Sequence, residues 1–355
     1  SRGKRPMGKM EMATGENRRI NGARLWDSLM AMAQVGPGVA GGNNRQTLTD
    51  ADSEGRHLFQ RWCEGAGMVM GVDTMGNMFA TRPGTEDLPP VYMGSHLDTQ
   101  PTGGKYDGVL GVLGALEVVR TMNDLGVKTR RPIVVTNWTN EEGARFAPAM
   151  LASGVFAGIH TEDYAKGRRD MDGKVFGEEL KRIGWEGTEK VGARKMHAML
   201  ELHIEQGPIL EAEGKTIGVV THGQGLWWLE ITLTGKDAHT GSTPMNMRVN
   251  AGLGMARITE RVHQIAMSHQ PNAVGAVGQV KVFPNSRNVI PGKVVFTVDI
   301  RSPEQGKLDA MKAEVMRAAH AVAQELGLGC AIEEVGHFDP VTFDPGLVKI
   351  VRQSA

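Results

Sequence analysis

Apolar residues in the first part of the chain recur at helical spacing in two segments and then form two short runs. The spacing predicts one helix over residues 21–30 and a second that begins after a cap at Thr49 or Asp50. The apolar runs 68–72 and 78–80 predict a β-hairpin.

Two strongly apolar segments enclose a helix rich in small residues. Residues 90–96 and 131–138 predict buried strands, and residues 108–119 predict the helix that connects them. Glycine at every third position of this helix is spaced for close packing and does not form a dinucleotide-binding fingerprint. Because a strand, a helix and a strand on this scale form a crossover unit, we expect an α/β fold with a largely parallel central sheet.

The pattern changes after about residue 212 to the order strand, helix, strand, strand, helix, strand, which is typical of the ferredoxin-like split motif. The predicted strands are 226–235, 277–283, 294–301 and 329–334, and the predicted helices are 248–268 and 303–326. We therefore expect an inserted α+β domain over residues 213–334 and a first domain made of residues 19–212 and 335–355. Residues 1–18 are polar and predict disorder.

Composition narrows the classes of protein. With 355 residues, 40% of them hydrophobic, the chain is long enough for two domains with a sizeable core. A formal net charge of +0 gives no support to nucleic-acid binding, and we expect neither a membrane span nor a secretory signal. Two distant cysteines, Cys63 and Cys330, favour buried thiols and a reducing cytoplasm over a disulfide framework.

Side chains that ligate metals follow the predicted strands in a series. His96, Asp107, the doublet Glu141 and Glu142, and His203 each lie at the end of a strand-like segment or just after it. Because ligands gather at the carboxyl ends of parallel strands, we expect these side chains to meet at one edge of the sheet. The adjacent carboxylates repel each other unless cations neutralise them, which favours a metal site.

This residue set suits a pair of divalent cations. Asp107 could bridge two ions, with His96 and His203 on one and Glu142 on the other. The spare carboxylate, Glu141, could take a proton from a bound water. Imidazole and carboxylate without thiolate suit Mn, Co, Ni or Zn.

Most of these residues also have a simpler explanation when taken alone. His96 and Asp98 lie two residues apart on a predicted strand and could form a buried hydrogen-bonded pair. Alternatively, Asp98 could orient the His96 imidazole as a metal ligand without binding the metal itself. Asp107 could cap the helix that follows it. His203, in a predicted alternating strand over residues 200–207, could be a core histidine.

Four motifs taken together resemble those of the M20 dinuclear metallohydrolases. They are residues 94–99 (Gly-Ser-His-Leu-Asp-Thr), 107–108 (Asp-Gly), 139–143 (Thr-Asn-Glu-Glu-Gly) and 201–207 (Glu-Leu-His-Ile-Glu-Gln-Gly). His203 with the segment after it resembles the amidase branch: L-N-carbamoylases, β-ureidopropionases and allantoate amidohydrolases. The resemblance implies a zinc-peptidase-like catalytic domain, an inserted lid and dimerisation domain, and a homodimer.

The resemblance also implies roles for the metal-binding residues. His96, Asp107 and His203 would hold one of two divalent ions in each subunit (Mn, Co, Ni or Zn). Asp107 and Glu142 would hold the other ion. Glu141 would be the general base.

Substrate-binding roles follow from the same resemblance. Gln206 would contact the ureido group. In the inserted domain, the segment 238–245 is similar to a lid motif whose His239 would stabilise the oxyanion, reaching across the dimer. Asn288 and Arg301 would bind the substrate carboxylate, for which arginine is the natural bidentate partner.

One ligand that the resemblance implies has no counterpart in this sequence. The family takes a further histidine from a segment near its C-terminus, and His337 lies too early and in the wrong context to match it. We therefore expect either that the C-terminal part of the catalytic domain is incomplete in these 355 residues or that the second metal site lacks one of its ligands.

The sequence thus predicts a cytoplasmic amidohydrolase that cleaves N-carbamoyl-L-amino acids to the amino acid, carbon dioxide and ammonia. Within the same branch, the alternatives are a β-ureidopropionase and an allantoate amidohydrolase. In a different class, the chain could be a metal-poor, non-catalytic dimeric binding protein.

Overall fold

The computed structural model describes residues 18–355, so the predicted disordered segment 1–18 lies outside the described residues except for Arg18. These residues form two compact units, one of residues 18–138 and 185–204, the other of residues 139–184 and 205–353. The domain bounds predicted at 213 and 334 stay a prediction. Within 18–355, every helix is too short or too polar to cross a lipid bilayer.

The first unit contains three helices and one sheet. Its elements are α1 (Gly22–Ala33), α2 (Asp50–Gly65), β1 (Val69–Val72), β2 (Met78–Arg82), β3 (Val91–Ser95), α3 (Val109–Asp124), β4 (Ile133–Asn137) and β5 (Ala198–Leu200). The cap predicted for α2 is confirmed, since the Thr49 side chain accepts a hydrogen bond from the Asp52 N–H.

The sheet of this unit has the order β1-β2-β4-β3-β5 and is mixed. The crossover through α3 makes β3 and β4 parallel as predicted, and β5 is parallel to β3. The hairpin makes β1 and β2 antiparallel, and β2 also pairs with β4 in the antiparallel sense. The predicted largely parallel sheet is therefore wrong in detail, because the short connection 73–77 between β1 and β2 favours antiparallel pairing at one side of the sheet.

Two predicted strands are shorter than expected, and both end before the histidines. β3 ends at Ser95, so His96 and Asp98 lie in the following loop and not on one strand face. β5 ends at Leu200, where its pairing with β3 stops, so the predicted strand over 200–207 is wrong.

The small residues of α3 let the helix approach β3 and the segment after β5. A Cβ added at Gly111 would lie 2.7 Å from both the Ser95 Cβ and the Leu202 carbonyl oxygen. The predicted use of these glycines in packing is therefore confirmed at Gly111.

The second unit contains the remaining elements. They are α4 (Leu151–Phe156), α5 (Glu162–Lys166), α6 (Phe176–Arg182), α7 (Ile209–Ala212), β6 (His222–Gly223), β7 (Gly225–Thr234), β8 (Ala238–His239), α8 (Ala251–Ser268), β9 (Val274–Phe283), β10 (Val289–Ile290), β11 (Lys293–Ser302), α9 (Gln305–Leu326), β12 (Gly329–Phe338), β13 (Val341–Thr342) and α10 (Pro345–Ser354).

An antiparallel sheet of order β12-β7-β11-β9 dominates this unit. Alternate residues of β7 and β11, among them Ile231 and Phe296, pack with Ile258 of α8 and Val315 of α9 in one apolar core. The predicted succession of four strands and two helices is confirmed. Two short antiparallel pairs, β8 with β10 and β6 with β13, were not predicted.

Candidate functional site

Three predicted metal ligands of the first unit meet beyond the ends of β3 and β5. One ligand atom from each of His96, Asp107 and His203 lies within 4.8 Å of the other two. Asp107 Oδ1 is 3.3 Å from His203 Nε2 and 3.9 Å from His96 Nε2. Ligand atoms bound tetrahedrally at about 2.0–2.2 Å lie roughly 3.3–3.6 Å apart, so Asp107 and His203 are at the spacing of two ligands of one divalent ion and His96 lies slightly beyond it.

The hydrogen bonds of the two imidazoles prepare them for metal binding. His96 Nδ1 donates to the Asp98 carbonyl oxygen at 2.8 Å, and His203 Nδ1 donates to the Ile204 carbonyl oxygen at 2.7 Å. Because a carbonyl oxygen can only accept, each neutral ring carries its hydrogen on Nδ1 and leaves the Nε2 lone pair for a metal. The Asp98 carboxylate is farther from His96 Nδ1, at 3.5 Å, so the main chain of Asp98 orients the ring more directly than its side chain does.

Electrostatics at this edge favour a cation. The hydrogen bond with Asp107 raises the pKa of His203 to about 9, and the charges of Asp107 and Glu201 act in the same direction. Without a metal, His203 is therefore protonated at neutral pH and neutralises Asp107. A metal ion that binds here takes the place of this proton.

Gly108 has a role at this site that the sequence reasoning did not give it. Its backbone is in the left-handed region, with φ of +68°, at the N-terminus of α3. A Cβ at this position would lie 2.4 Å from His96 Nε2, the atom that faces Asp107. The Asp-Gly pair before a helix is a weak sequence signal, and the contact with His96 depends on the fold.

A short hydrogen bond joins the two segments that carry the histidines. Ser95 Oγ donates to Glu201 Oε1 at 2.5 Å, one residue before His96 and two before His203. The hydrogen bond keeps the two chain segments side by side beyond the last residue pair of β3 and β5, Met93 with Leu200. This bond holds the two segments together directly before the residues that carry the imidazoles.

Glu141 and Glu142 lie in a tightly folded loop of the second unit. Asn140 adopts a left-handed φ of 57°, and the Glu141 carbonyl oxygen accepts a hydrogen bond from Met150 N at 2.7 Å. A Cβ at Gly143 would lie 2.5 Å from Ala149 N, so only glycine fits there. The loop therefore holds the carboxylate doublet on a fixed backbone.

Arg301 of β11 lies in the electrostatic field of this doublet. Its guanidinium donates to both oxygens of Asp299, with Nη2 2.7 Å from Oδ2. These hydrogen bonds raise the pKa of Arg301, and the charges of Asp299, Glu141 and Glu142 raise it further against the effect of burial. A substrate carboxylate would share this guanidinium with Asp299.

His239 and Asn288 are neighbours across the β8–β10 pair. His239 is opposite Val289, and Thr240 N donates to the Asn288 carbonyl oxygen at 2.9 Å. His239 Nδ1 accepts from Gly241 N at 3.0 Å, so its neutral ring carries the hydrogen on the exposed Nε2. That tautomer can donate a hydrogen bond to a developing negative charge.

Gln206 and His337 are further candidates in the second unit. Gln206 is exposed and has a left-handed φ of 55°. His337 stacks on Trp227 with ring centres 3.9 Å apart, and its Nε2 is 2.8 Å from Asp339 Oδ1.

Comparison with known proteins relates most of the chain to one group of enzymes. The sequence profile of Peptidase family M20/M25/M40 matches residues 92–355. The N-carbamoyl-L-amino-acid amidohydrolase of Rhizobium meliloti is 74% identical, over 97% of this chain and 83% of the relative. That of Geobacillus stearothermophilus is 36% identical, over 95% and 82%. The crystal structure of a hydantoinase/carbamoylase family amidase from Burkholderia vietnamiensis is 51% identical and superposes with a TM-score of 0.92, over 94% of this chain and 81% of that one.

Proposed function

Because the chain belongs to peptidase family M20/M25/M40, we propose that it is a metal-dependent amidohydrolase that cleaves N-carbamoyl-L-amino acids. The observation that carries the choice of substrate is the 74% identity to the Rhizobium meliloti enzyme of that name. The observation that supports metal dependence is the meeting of two imidazole Nε2 atoms and one carboxylate at His96, Asp107 and His203. The family resemblance predicted from the motifs is confirmed.

The metal-binding residues are divided between two ions in this proposal. His96, Asp107 and His203 would hold one ion, and Asp107 with Glu142 would hold the second. Mn, Co, Ni and Zn all suit these ligands. A bound divalent cation supplies Lewis acidity, which polarises a carbonyl group and lowers the pKa of a bound water.

The chain's own residues move the proton and bind the substrate. Glu141 takes a proton from the attacking water and returns it to the amino-acid nitrogen as the ureido C–N bond breaks. The carbamate that leaves decomposes to carbon dioxide and ammonia. His239 donates a hydrogen bond to the developing oxyanion, which stabilises the transition state more than the ground state.

Specificity for an amino-acid product rests on groups that recognise a carboxylate and a ureido group. Arg301, held by Asp299, presents its remaining N–H donors to the substrate carboxylate, and Asn288 adds an amide donor. Gln206 contacts the ureido group. Removal of the carboxylate from the substrate leaves a charged guanidinium without its ligand, so amidated substrates bind poorly.

The assembly in this proposal is a cytoplasmic homodimer. The inserted α+β domain acts as lid and dimerisation domain, and His239 is supplied to the site of the partner subunit. Both cysteines are free, which agrees with a reducing compartment.

A substrate panel tests the proposed reaction. The metal-loaded protein is assayed for ammonia release from N-carbamoyl-L- and D-amino acids, N-carbamoyl-β-alanine, allantoate and a dipeptide. We expect the N-carbamoyl-L-amino acids to give the highest kcat/KM. Preference for carbamoyl-β-alanine or allantoate would assign the chain to another member of the branch. Failure to turn over any of these would leave a non-catalytic binding protein.

A further inference from the structure

Both main-chain polar groups of Leu97, the residue after His96, form hydrogen bonds with buried side chains. Leu97 N donates to Asn137 Oδ1 at 2.9 Å, and the Leu97 carbonyl oxygen accepts from Arg45 Nε at 2.8 Å. Leu97, Asn137 and Arg45 are each at most 1% exposed. A segment held at both polar groups of one residue has little freedom to rotate, and His96 is the residue directly before Leu97.

Arg45 also forms main-chain hydrogen bonds with Thr99, two residues after Leu97. Arg45 N donates to Thr99 Oγ1 at 2.8 Å, and Thr99 N donates to the Arg45 carbonyl oxygen at 2.8 Å. Arg45 Nη1 donates to the carbonyl oxygens of Met32 and Val35, at 3.1 and 2.6 Å. Arg45 therefore connects the end of α1 to the loop that carries His96.

Arg45 is a charged side chain that is fully buried in the protein core, which is unusual if its role is packing alone. Burial lowers the pKa of its guanidinium, while the charges of Asp52 and Asp98 act in the opposite direction. A guanidinium bonded to carbonyl oxygens in the protein interior costs desolvation energy that an apolar side chain would not cost. The position of its hydrogen bonds, around His96, offers a reason for that cost.

We propose that Arg45 and Asn137 are positioning residues, which we call the Leu97 clamp, that hold His96 in the orientation a metal ion requires. His96 Nδ1 donates to the carbonyl oxygen of Asp98, which is the residue after Leu97, so the clamp fixes the acceptor as well as the ligand. Hydrogen-bond partners that do not themselves bind the metal fix the orientation of a ligand imidazole in this way. The inference rests on the proposed metal-dependent function.

Metal affinity of the free protein tests the clamp without using the reaction. Arg45→Lys and Asn137→Leu are made, and the dissociation constant of Co²⁺ or Zn²⁺ is measured by competition with a chromophoric chelator on protein shown to be folded by circular dichroism. Each variant should bind the ion about 10- to 100-fold more weakly, the range for lost partners of metal ligands. The visible absorption of bound Co²⁺, which reports its ligand geometry, should also change.

Arg56→Lys is the matched control. Arg56 is another arginine that is 1% exposed in the same unit, but it bonds to the Gly76 carbonyl oxygen and to Asp52. We expect it to lower the unfolding temperature and to leave the metal dissociation constant unchanged. Equal weakening of metal binding in Arg56→Lys would overturn the clamp, as would wild-type affinity in folded Arg45→Lys and Asn137→Leu.

A milder variant decides the question if these proteins do not fold. Thr99→Val removes the hydroxyl that accepts from Arg45 N and donates to the Gln100 carbonyl oxygen, with little change in volume. Metal affinity several-fold below wild type supports the clamp, and wild-type affinity overturns it. Failure of the proposed function has a different signature: the wild-type protein then binds metal but releases no ammonia from carbamoyl amino acids.

Discussion

The replacement Gly108→Ala should remove His96 from the metal site. The added Cβ would lie 2.4 Å from His96 Nε2 and 2.5 Å from Cδ2 and Cε1. Because non-bonded heavy atoms normally lie about 3.5 Å apart, the ring must move by roughly 1 Å. Metal–ligand distances tolerate only about 0.2 Å, so we expect metal affinity to fall at least about 10²-fold, or about 2.8 kcal/mol.

Backbone strain contributes separately and has its own control. An alanine in the left-handed region costs about 1–2 kcal/mol of stability. Gly126 has a similar φ, +63°, but an added Cβ meets nothing within 4 Å. Gly126→Ala should therefore lower stability in urea denaturation and leave metal binding intact. If Gly108→Ala, measured by chelator competition, binds metal like Gly126→Ala, the contact with His96 does not control the site.

The other predictions concern the proton, the substrate and the assembly. Glu141→Gln should still bind metal and should lower kcat at least about 10²-fold, the scale of a lost general base. If this variant loses metal instead, Glu141 is the metal ligand and Glu142 the general base. Arg301→Ala should cost about 2–5 kcal/mol in kcat/KM for the acid substrate, Arg301→Lys should recover only part, and equal wild-type turnover of acid and amide would remove Arg301 from the site. The metal-free pKa of His203 is about 9, so metal binding between pH 7 and 9 should release a proton from this residue. The affinity for metal, measured by calorimetry, should therefore rise with pH, and a pH-independent affinity would contradict this. Mixed inactive protomers carrying His239→Ala and Glu141→Gln should regain up to half of wild-type activity per heterodimer if His239 acts in trans, and none if it acts in cis.

The meeting of His96, Asp107 and His203 could be predicted from the sequence because the two histidines follow strand-like segments and Asp107 precedes the helix between two predicted strands. β3 and β4 with α3 between them form the expected crossover, and the topology then brings His96 and Asp107 together. The strand containing His203 was predicted too long, since alternation over 200–207 does not report where the partner strand stops. The mixed sheet also escaped prediction, because the side on which the β1–β2 hairpin joins depends on long-range pairing.

The two residues of the Leu97 clamp, Arg45 and Asn137, could not be predicted from local patterns. Asn137 lies 40 residues from Leu97, and Arg45 lies 52 residues from it, so neither pairing leaves a periodic signal. Asn137 stands in an apolar strand and Arg45 in a polar segment with no predicted element. The orienting acceptor of His96 is a main-chain oxygen of Asp98, which any residue would supply.

The most direct test of the account is ammonia release from an N-carbamoyl-L-amino acid before and after removal of metal. The wild-type protein is treated with a chelator, dialysed, assayed, and assayed again after addition of Mn²⁺, Co²⁺, Ni²⁺ or Zn²⁺. We predict that chelation abolishes ammonia release, that at least one of these ions restores it, and that Asp107→Asn, which changes the carboxylate between His96 and His203, is not restored. Full activity in a thoroughly metal-free preparation would contradict the account.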